Sequence, residues 1–183
     1  MQAEFDSICS AKHPVSFELA WKPAAPGSAH SDLDIGCMYV LTDGTRGVVQ
    51  SVGGLLGSRD CEPYIVIPRN TRDGHDSAGE LLVMSRPDRI AFAVIFASIY
   101  TGTSDFRGAD ARLVINSPGL DVGPIHLRSP DPGLRWCAIA VCGSKEGRFL
   151  IRYQHRYFLS ARHADDHYGI GLDWGIGLKR SCG

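Results

Sequence analysis

The sequence predicts an all-β fold, an antiparallel sandwich or barrel with little helix. Apolar side chains recur with a period of two in about ten short segments, as expected for strands that bury one face. Stretches rich in glycine, proline, aspartate and serine separate these segments, as turns separate antiparallel strands. The 183 residues are 44% hydrophobic, which is enough for the core of one globular domain.

Each element follows from this alternation. In the first candidate strand, Val15–Trp21, Phe17 and Leu19 fall on one face. The pair Asp43-Gly44 separates the next long run from its successor and is typical of a hairpin turn. The longest apolar run, Ile90–Ile99, is too short to span a bilayer and predicts a central buried strand. In chain order the candidate strands are Val15–Trp21, Ile35–Leu41, Gly47–Val52, Tyr64–Ile67, Leu81–Met84, Arg89–Tyr100, Ala111–Asn116, Pro124–Leu127, Trp136–Val141 and Phe149–Phe158.

Little of the chain is predicted to be helical or unstructured. A helical turn or two is expected near Ala161–Tyr168, although Gly169 and Gly171 favour a loop there. Residues 1–13 are predicted to form a loose leader, and residues 14–180 one folded domain. The leader is acidic and lacks the layout of a signal peptide, so we expect a cytoplasmic protein. A net charge of -1 gives no basic footprint for nucleic acid.

The six cysteines do not indicate a metal site. None of them forms a Cys-x-x-Cys pair, which disfavours structural zinc. Cys37 and Cys137 lie inside apolar runs and are expected to be buried thiols. Without a secretion signal, the cysteines are expected to be free.

Two aspartates at the start of a predicted strand are the first candidate site. Asp32 and Asp34 are two residues apart, so a strand places both carboxylates on one face. Like charges at this spacing repel each other unless a cation lies between them, and calcium is the cation that prefers several oxygen ligands. The alternative is a solvated acidic turn, with Asp32 capping backbone amides.

A long polar loop supplies further oxygen donors. It lies between the candidate strands that end at Ile67 and begin at Leu81, and long loops in compact domains are often functional. Its candidate ligands are Asn70, Asp73, Asp76 and Glu80. The alternative is a solvated loop in which Glu80 merely opens a strand.

An ordered set of motifs resembles the TerD-domain tellurium-resistance and stress-response proteins, and among them the TerA-like group. The resemblance extends from about Val15 to about Lys179. The matching pieces are Asp32-Leu33-Asp34-Ile35-Gly36-Cys37, Asp43-Gly44, Gly47-Val48-Val49-Gln50, Pro63-Tyr64-Ile65, Arg72, Gly74, Gly79-Glu80, Phe92-Ala93-Val94-Ile95-Phe96, Ile99-Tyr100, Gly102, Cys137-Ala138-Ile139-Ala140, Arg156-Tyr157-Phe158 and Tyr168-Gly169-Ile170-Gly171-Leu172-Asp173-Trp174.

The resemblance implies a two-sheet β-sandwich that binds calcium and acts without enzymatic activity. It also implies partners among other tellurium-resistance and stress-response proteins, in assemblies close to the inner face of the membrane. Asp32 and Asp34 match the Asp-x-Asp of the family. The loop departs from the family pattern, since Pro68, Arg69 and Thr71 stand where an acidic run is typical. Asp73 and Asp76 stand where TerA-like members often have neutral residues. The predicted calcium site of Asp32, Asp34, Asn70, Asp73, Asp76 and Glu80 is therefore expected to be weakened, rearranged or lost.

Two other function classes remain open from the sequence. A sandwich that binds a carbohydrate or another small ligand without metal is the main alternative, and aromatic residues exposed in a row would favour it. An enzyme ranks third, because no nucleophile motif accompanies the His75-Asp76 pair. His163 and His167 are four residues apart, as zinc ligands on a helix can be, but a zinc site also needs a third ligand.

Overall fold

The computed structural model describes residues 6–23, 31–68 and 79–174. Within these ranges the chain forms eleven strands and one α-helix. They are β1 (Ser7–Ser10), β2 (Val15–Ala20), β3 (Asp32–Leu41), β4 (Arg46–Gln50), β5 (Ile65–Val66), β6 (Gly79–Met84), β7 (Ile90–Thr101), β8 (Arg112–Asn116), β9 (Ile125–His126), β10 (Trp136–Lys145), β11 (Arg148–Phe158) and α1 (Ala161–Tyr168).

The strands form two antiparallel sheets packed as a sandwich. The six-stranded sheet has the order β1-β11-β10-β7-β3-β4, and the five-stranded sheet has the order β5-β6-β2-β8-β9. The prediction of an all-β antiparallel fold is therefore confirmed, and the fold is a sandwich. None of the described helices is long and apolar enough to cross a membrane.

The main core lies between the two sheets. Side chains that alternate along β2 and β3, such as Phe17, Leu33 and Ile35, are fully buried there. A second apolar cluster covers the outer face of the six-stranded sheet and includes Met38 and Phe96. The ring of Phe96 lies against Gly36 and occupies the space that a side chain there would need. β3 is consequently buried on both faces along most of its length.

The alternation of apolar residues predicted most of the elements. All ten candidate strands and the hairpin at Asp43-Gly44 are present, with shifts of a few residues at their ends. The helix coincides with the expected segment Ala161–Tyr168. Gly169, which favoured a loop in the sequence, instead ends this helix in the left-handed conformation.

Two expectations from the sequence differ from the structure. Residues 1–13 were expected to be a loose leader, but Ser7–Ser10 pair with β11 and bury Cys9. A strand of four residues is too short to show a clear alternation. All cysteines were expected to be free thiols, but Cys61 forms a disulfide bond, whereas four other cysteines are free and buried.

Candidate functional site

Asp32 and Asp34 lie at the beginning of β3, at one end of the sandwich. Their neighbours Leu33 and Ile35 point into the core between the sheets, so alternation directs both carboxylates to the outer face of the six-stranded sheet. Asp34 pairs with Ser98 of β7 and is only 4% exposed, whereas Asp32 is partly exposed. Both aspartates make interactions with the rest of the chain. A carboxylate this deeply buried needs compensation, because transfer out of water penalises its charge.

Glu80 approaches the same strand from the other sheet. It is 4% exposed and shares the inward-facing side of β6 with Leu82. Its Oε2 atom accepts the backbone N–H of Ile35 at 2.8 Å, and its Oε1 atom accepts the hydroxyl of Ser51 at 3.1 Å. The pairing between β3 and β4 ends at Gly36 and Gln50. The Glu80 carboxylate therefore accepts the backbone N–H of Ile35 in place of a carbonyl group of β4. Glu80 thus joins the two sheets at the strand that carries Asp34.

The described residues that flank positions 24–30 and 69–78 lie together, since Ala20 pairs with Gly79 and Trp21 contacts Ser31. The indole Nε1 of Trp21 donates to the carbonyl oxygen of Ser31 at 2.9 Å, which brings together the flanks of residues 24–30. The described chain resumes at Gly79, the first residue of β6, immediately before Glu80. Gly79 therefore lies one residue from a side chain that contacts β3.

The predicted ligands divide between described and undescribed parts of the chain. Asn70, Asp73 and Asp76 lie outside the described residues. Among the described residues, no group of three or more histidine, cysteine, aspartate or glutamate side chains could hold a metal ion. Asp32 and Asp34 provide two carboxylates with the right chemistry for calcium, and further oxygen ligands would have to come from the loop or from the backbone. The ligand role of all six residues stays a prediction.

The two histidines of α1 have separate partners. The ring of His163 is hydrogen-bonded to the hydroxyl of Ser160 at 2.9 Å, and the ring of His167 contacts the guanidinium of Arg156 at 2.7 Å. Ser160 is also the N-cap of the helix. These contacts favour a structural role for the two histidines over zinc binding.

Asp165, which the sequence reasoning passed over, anchors the segment after α1. It is 3% exposed, and its carboxylate accepts the backbone N–H groups of Gly171 and Leu172 at 2.8 and 2.9 Å. It also accepts the indole N–H of Trp174 at 2.8 Å. Charge-assisted hydrogen bonds of this kind are stronger than neutral ones. The segment 170–174 is thereby held over the apolar outer face of the six-stranded sheet.

The aromatic residues are not exposed as one row. Trp136 is buried and stacks on Phe96 with ring centroids 4.5 Å apart, and Phe158 meets Trp136 edge-on at 5.8 Å. Both belong to the outer-face cluster, which Trp174 also joins. The feature that would favour a sugar-binding face is therefore missing among these residues, all of which the structure describes.

Comparison of the sequence with known proteins identifies a tellurium-resistance relative. No family model matches the chain. The chain is 29% identical over 150 residues to the tellurium resistance protein TerA of an Alcaligenes species. The match covers 81% of this chain but 44% of TerA, so the chain spans less than half the length of this curated relative.

Comparison of the fold identifies solved structures of similar architecture. A protein of unknown function, SAV2460, superposes with a TM-score of 0.63 at 16% identity, covering 89% of this chain and 99% of that protein. A homologue of the telluride resistance protein TerD, SCO6318 from Streptomyces coelicolor A3(2), superposes with a TM-score of 0.59 at 19% identity. That match covers 84% of this chain and 94% of the homologue. These likenesses show a shared fold.

Proposed function

We propose that this chain, a relative of the TerD-like tellurium-resistance proteins, is a calcium-responsive and non-enzymatic scaffold of the stress response. The kinship with TerA and the fold shared with a TerD homologue confirm the family that the sequence motifs predicted. Calcium binding, the scaffold role and the absence of enzymatic activity are the further content of the proposal.

The link between Glu80 and Ile35 is the observation that carries the calcium proposal. It holds the start of β6, which directly follows in sequence the segment with Asp73 and Asp76, beside the strand that carries Asp34. Calcium accepts irregular sets of six to eight oxygen ligands, so two carboxylates on β3 and oxygen donors among residues 69–78 would suit it. The ion would lower the repulsion between the two carboxylates at the start of β3.

Binding of this kind offers a route to partner recognition. Tyr100 and Leu159 are 62% and 64% exposed, which is high for large apolar residues. Tyr100 is the extra residue in β7 between the pairs that Thr101 and Ile99 form with the start of β3. Phe158, which precedes Leu159, pairs with Trp136 at the same end of the sheet. Calcium bound at the start of β3 would complete a surface near these side chains, and other tellurium-resistance or stress-response proteins at the cytoplasmic face of the membrane are its proposed partners.

Survival on tellurite tests this function in cells. The cells should depend on this protein for growth and should carry either the wild type, Asp32→Asn with Asp34→Asn, or a control pair. The control is Asp121→Asn with Asp166→Asn, which removes two exposed carboxylates elsewhere in the described chain. We expect the control to grow like the wild type and the Asp32/Asp34 variant to lose resistance at equal protein level. Equal survival of both variants would contradict the proposal.

A further inference from the structure

An open groove on one side of the sandwich is lined by none of the candidate calcium ligands. Its volume is about 740 Å³, within the range usual for small-molecule sites. One wall is the segment around β9, and the floor is the second half of β11. The groove is lined by Val122, Gly123, Pro124, Ile125, His126, Arg128, Ser129, Tyr153, His155 and Tyr157.

The groove exists because the five-stranded sheet ends early on this side. β9 has only two residues, so the inner face of β11 beyond it is covered by irregular chain. The Tyr157 hydroxyl accepts the backbone N–H groups of Arg128 and Ser129 at 2.8 and 3.2 Å, which ties the wall to the floor. The Tyr153 hydroxyl is hydrogen-bonded to the Ser7 hydroxyl at 2.8 Å. Both rings are therefore held in place before any ligand arrives, which lowers the cost of binding.

A β-bulge brings a histidine to the rim of the groove. Gln154 and His155 of β11 lie opposite the single residue Ile139 of β10. His155 has a φ of 47°, in the left-handed region that few residues other than glycine adopt. Bulges of this kind redirect a side chain and are common beside binding sites.

The polar groups of the groove favour an anion. The side chains of His126, Arg128 and His155 make no hydrogen bond or ion pair within the described residues, and the lining residues include no carboxylate. The remaining lining is mainly apolar and includes the partly buried rings of Tyr153 and Tyr157. We propose that this groove binds a small organic anion, with its flat apolar part on the two tyrosines and its carboxylate or phosphate group at Arg128 and the two histidines.

Titration with phenyl phosphate tests the proposal, with benzyl alcohol as the neutral probe of similar shape. Amide chemical shifts of the full chain are recorded by heteronuclear NMR at increasing concentrations of each compound. We expect phenyl phosphate to shift the amides of residues 122–129 and 153–157 in a saturable manner. Benzyl alcohol should bind at least roughly tenfold more weakly, because it lacks the charge that Arg128 would meet.

Variants of the rim separate charge from shape. Arg128→Gln removes the charge but keeps a polar, hydrogen-bonding side chain, and it should weaken phenyl phosphate binding roughly tenfold, the effect of one charge-assisted hydrogen bond. His155→Asn should weaken it as well, and asparagine tolerates the left-handed backbone at this position. Arg152→Gln is the matched control, since Arg152 is an exposed arginine of β11 outside the lining. Its affinity should equal that of the wild type.

Several results would overturn the proposal. These are no saturable shift with phenyl phosphate, shifts that map to other residues, equal affinity for benzyl alcohol, and equal weakening by Arg152→Gln and Arg128→Gln. Because the groove shares no residue with Asp32, Asp34 or Glu80, the same titration on the Asp32→Asn, Asp34→Asn variant should be unchanged. The groove and the calcium proposal can therefore fail independently.

Discussion

The Glu80 carboxylate of one sheet accepts the backbone N–H of Ile35 in the other sheet at 2.8 Å. This bond crosses the sandwich at the position where β4 no longer pairs with β3. It couples the start of β6 to the strand that carries Asp32 and Asp34. A single side chain thus relates the stability of the fold to the geometry of the candidate site.

Removing this link should destabilise the protein. Glu80→Ala leaves the buried N–H of Ile35 without its acceptor, so we expect the free energy of unfolding to fall by about 1–3 kcal/mol. Glu80→Gln retains one side-chain oxygen and should lose less. Urea unfolding followed by circular dichroism measures both. Glu18→Ala is the control, because Glu18 is exposed on β2. A loss for Glu18→Ala as large as for Glu80→Ala would refute a specific role of the link.

Asp165 should hold the segment after α1 in place. Asp165→Ala removes the acceptor of three hydrogen bonds, and the amides of Gly171 and Leu172 should then exchange with solvent much faster. Trp174 fluorescence should shift to longer wavelength as its indole becomes hydrated. Hydrogen exchange by NMR measures the first effect. Asp166→Ala is the control on the neighbouring exposed position of the same helix, and its exchange rates should match those of the wild type.

The buried thiols should be inert in the native protein. Burial raises the pKa of Cys37, Cys137 and Cys142 above the ordinary value of 9.0, so the reactive thiolate is scarce at neutral pH. A disulfide reagent such as dithionitrobenzoate should label them only after unfolding in urea. Rapid labelling of any of the three in the folded protein would contradict their burial.

The same shifts predict the direction of the alkaline response. A thiol whose pKa is higher in the folded state than in the unfolded state resists deprotonation only while folded. The contribution of these thiols to the free energy of unfolding is therefore fully present below pH 9. It declines as the pH rises past the pKa of the thiols in the unfolded chain. Tyr39 and Tyr168, with burial raising the pKa of each from 10.0 to about 12, act in the same direction at higher pH. Urea midpoints between pH 8 and pH 11 should fall steadily, and a constant midpoint would be inconsistent with these shifts.

Local patterns predicted the fold well because most strands bury one face. Phe17 and Leu19 show this alternation plainly, and Asp43-Gly44 forms the expected turn. The sequence did not predict β1, because this strand is stabilised by pairing with β11, which lies far away in the sequence. Pairing of this kind leaves no periodic signal in a segment of four residues.

The candidate site was harder to predict than the fold. The sequence located Asp32, Asp34 and Glu80. It could not show that the Glu80 carboxylate accepts hydrogen bonds from Ile35 and Ser51. Asp165 was missed because its partners are mainly backbone N–H groups, which have no signature in the sequence. Long-range hydrogen bonds to the backbone are set by the tertiary fold, so residue types alone do not reveal them.

Calcium binding by the purified protein is the most direct test of the central claim. Isothermal titration calorimetry should be performed after removal of divalent ions, with calcium and then with magnesium as titrant. We expect saturable calcium binding, weaker binding of magnesium because it tolerates irregular oxygen ligands poorly, and added stability of about 2.7 kcal/mol at a hundredfold excess over the dissociation constant. Asp32→Asn with Asp34→Asn should abolish the binding heat, whereas Asp121→Asn with Asp166→Asn should preserve it. No calcium binding by the wild type, or equal binding by the Asp32/Asp34 variant, would contradict the account.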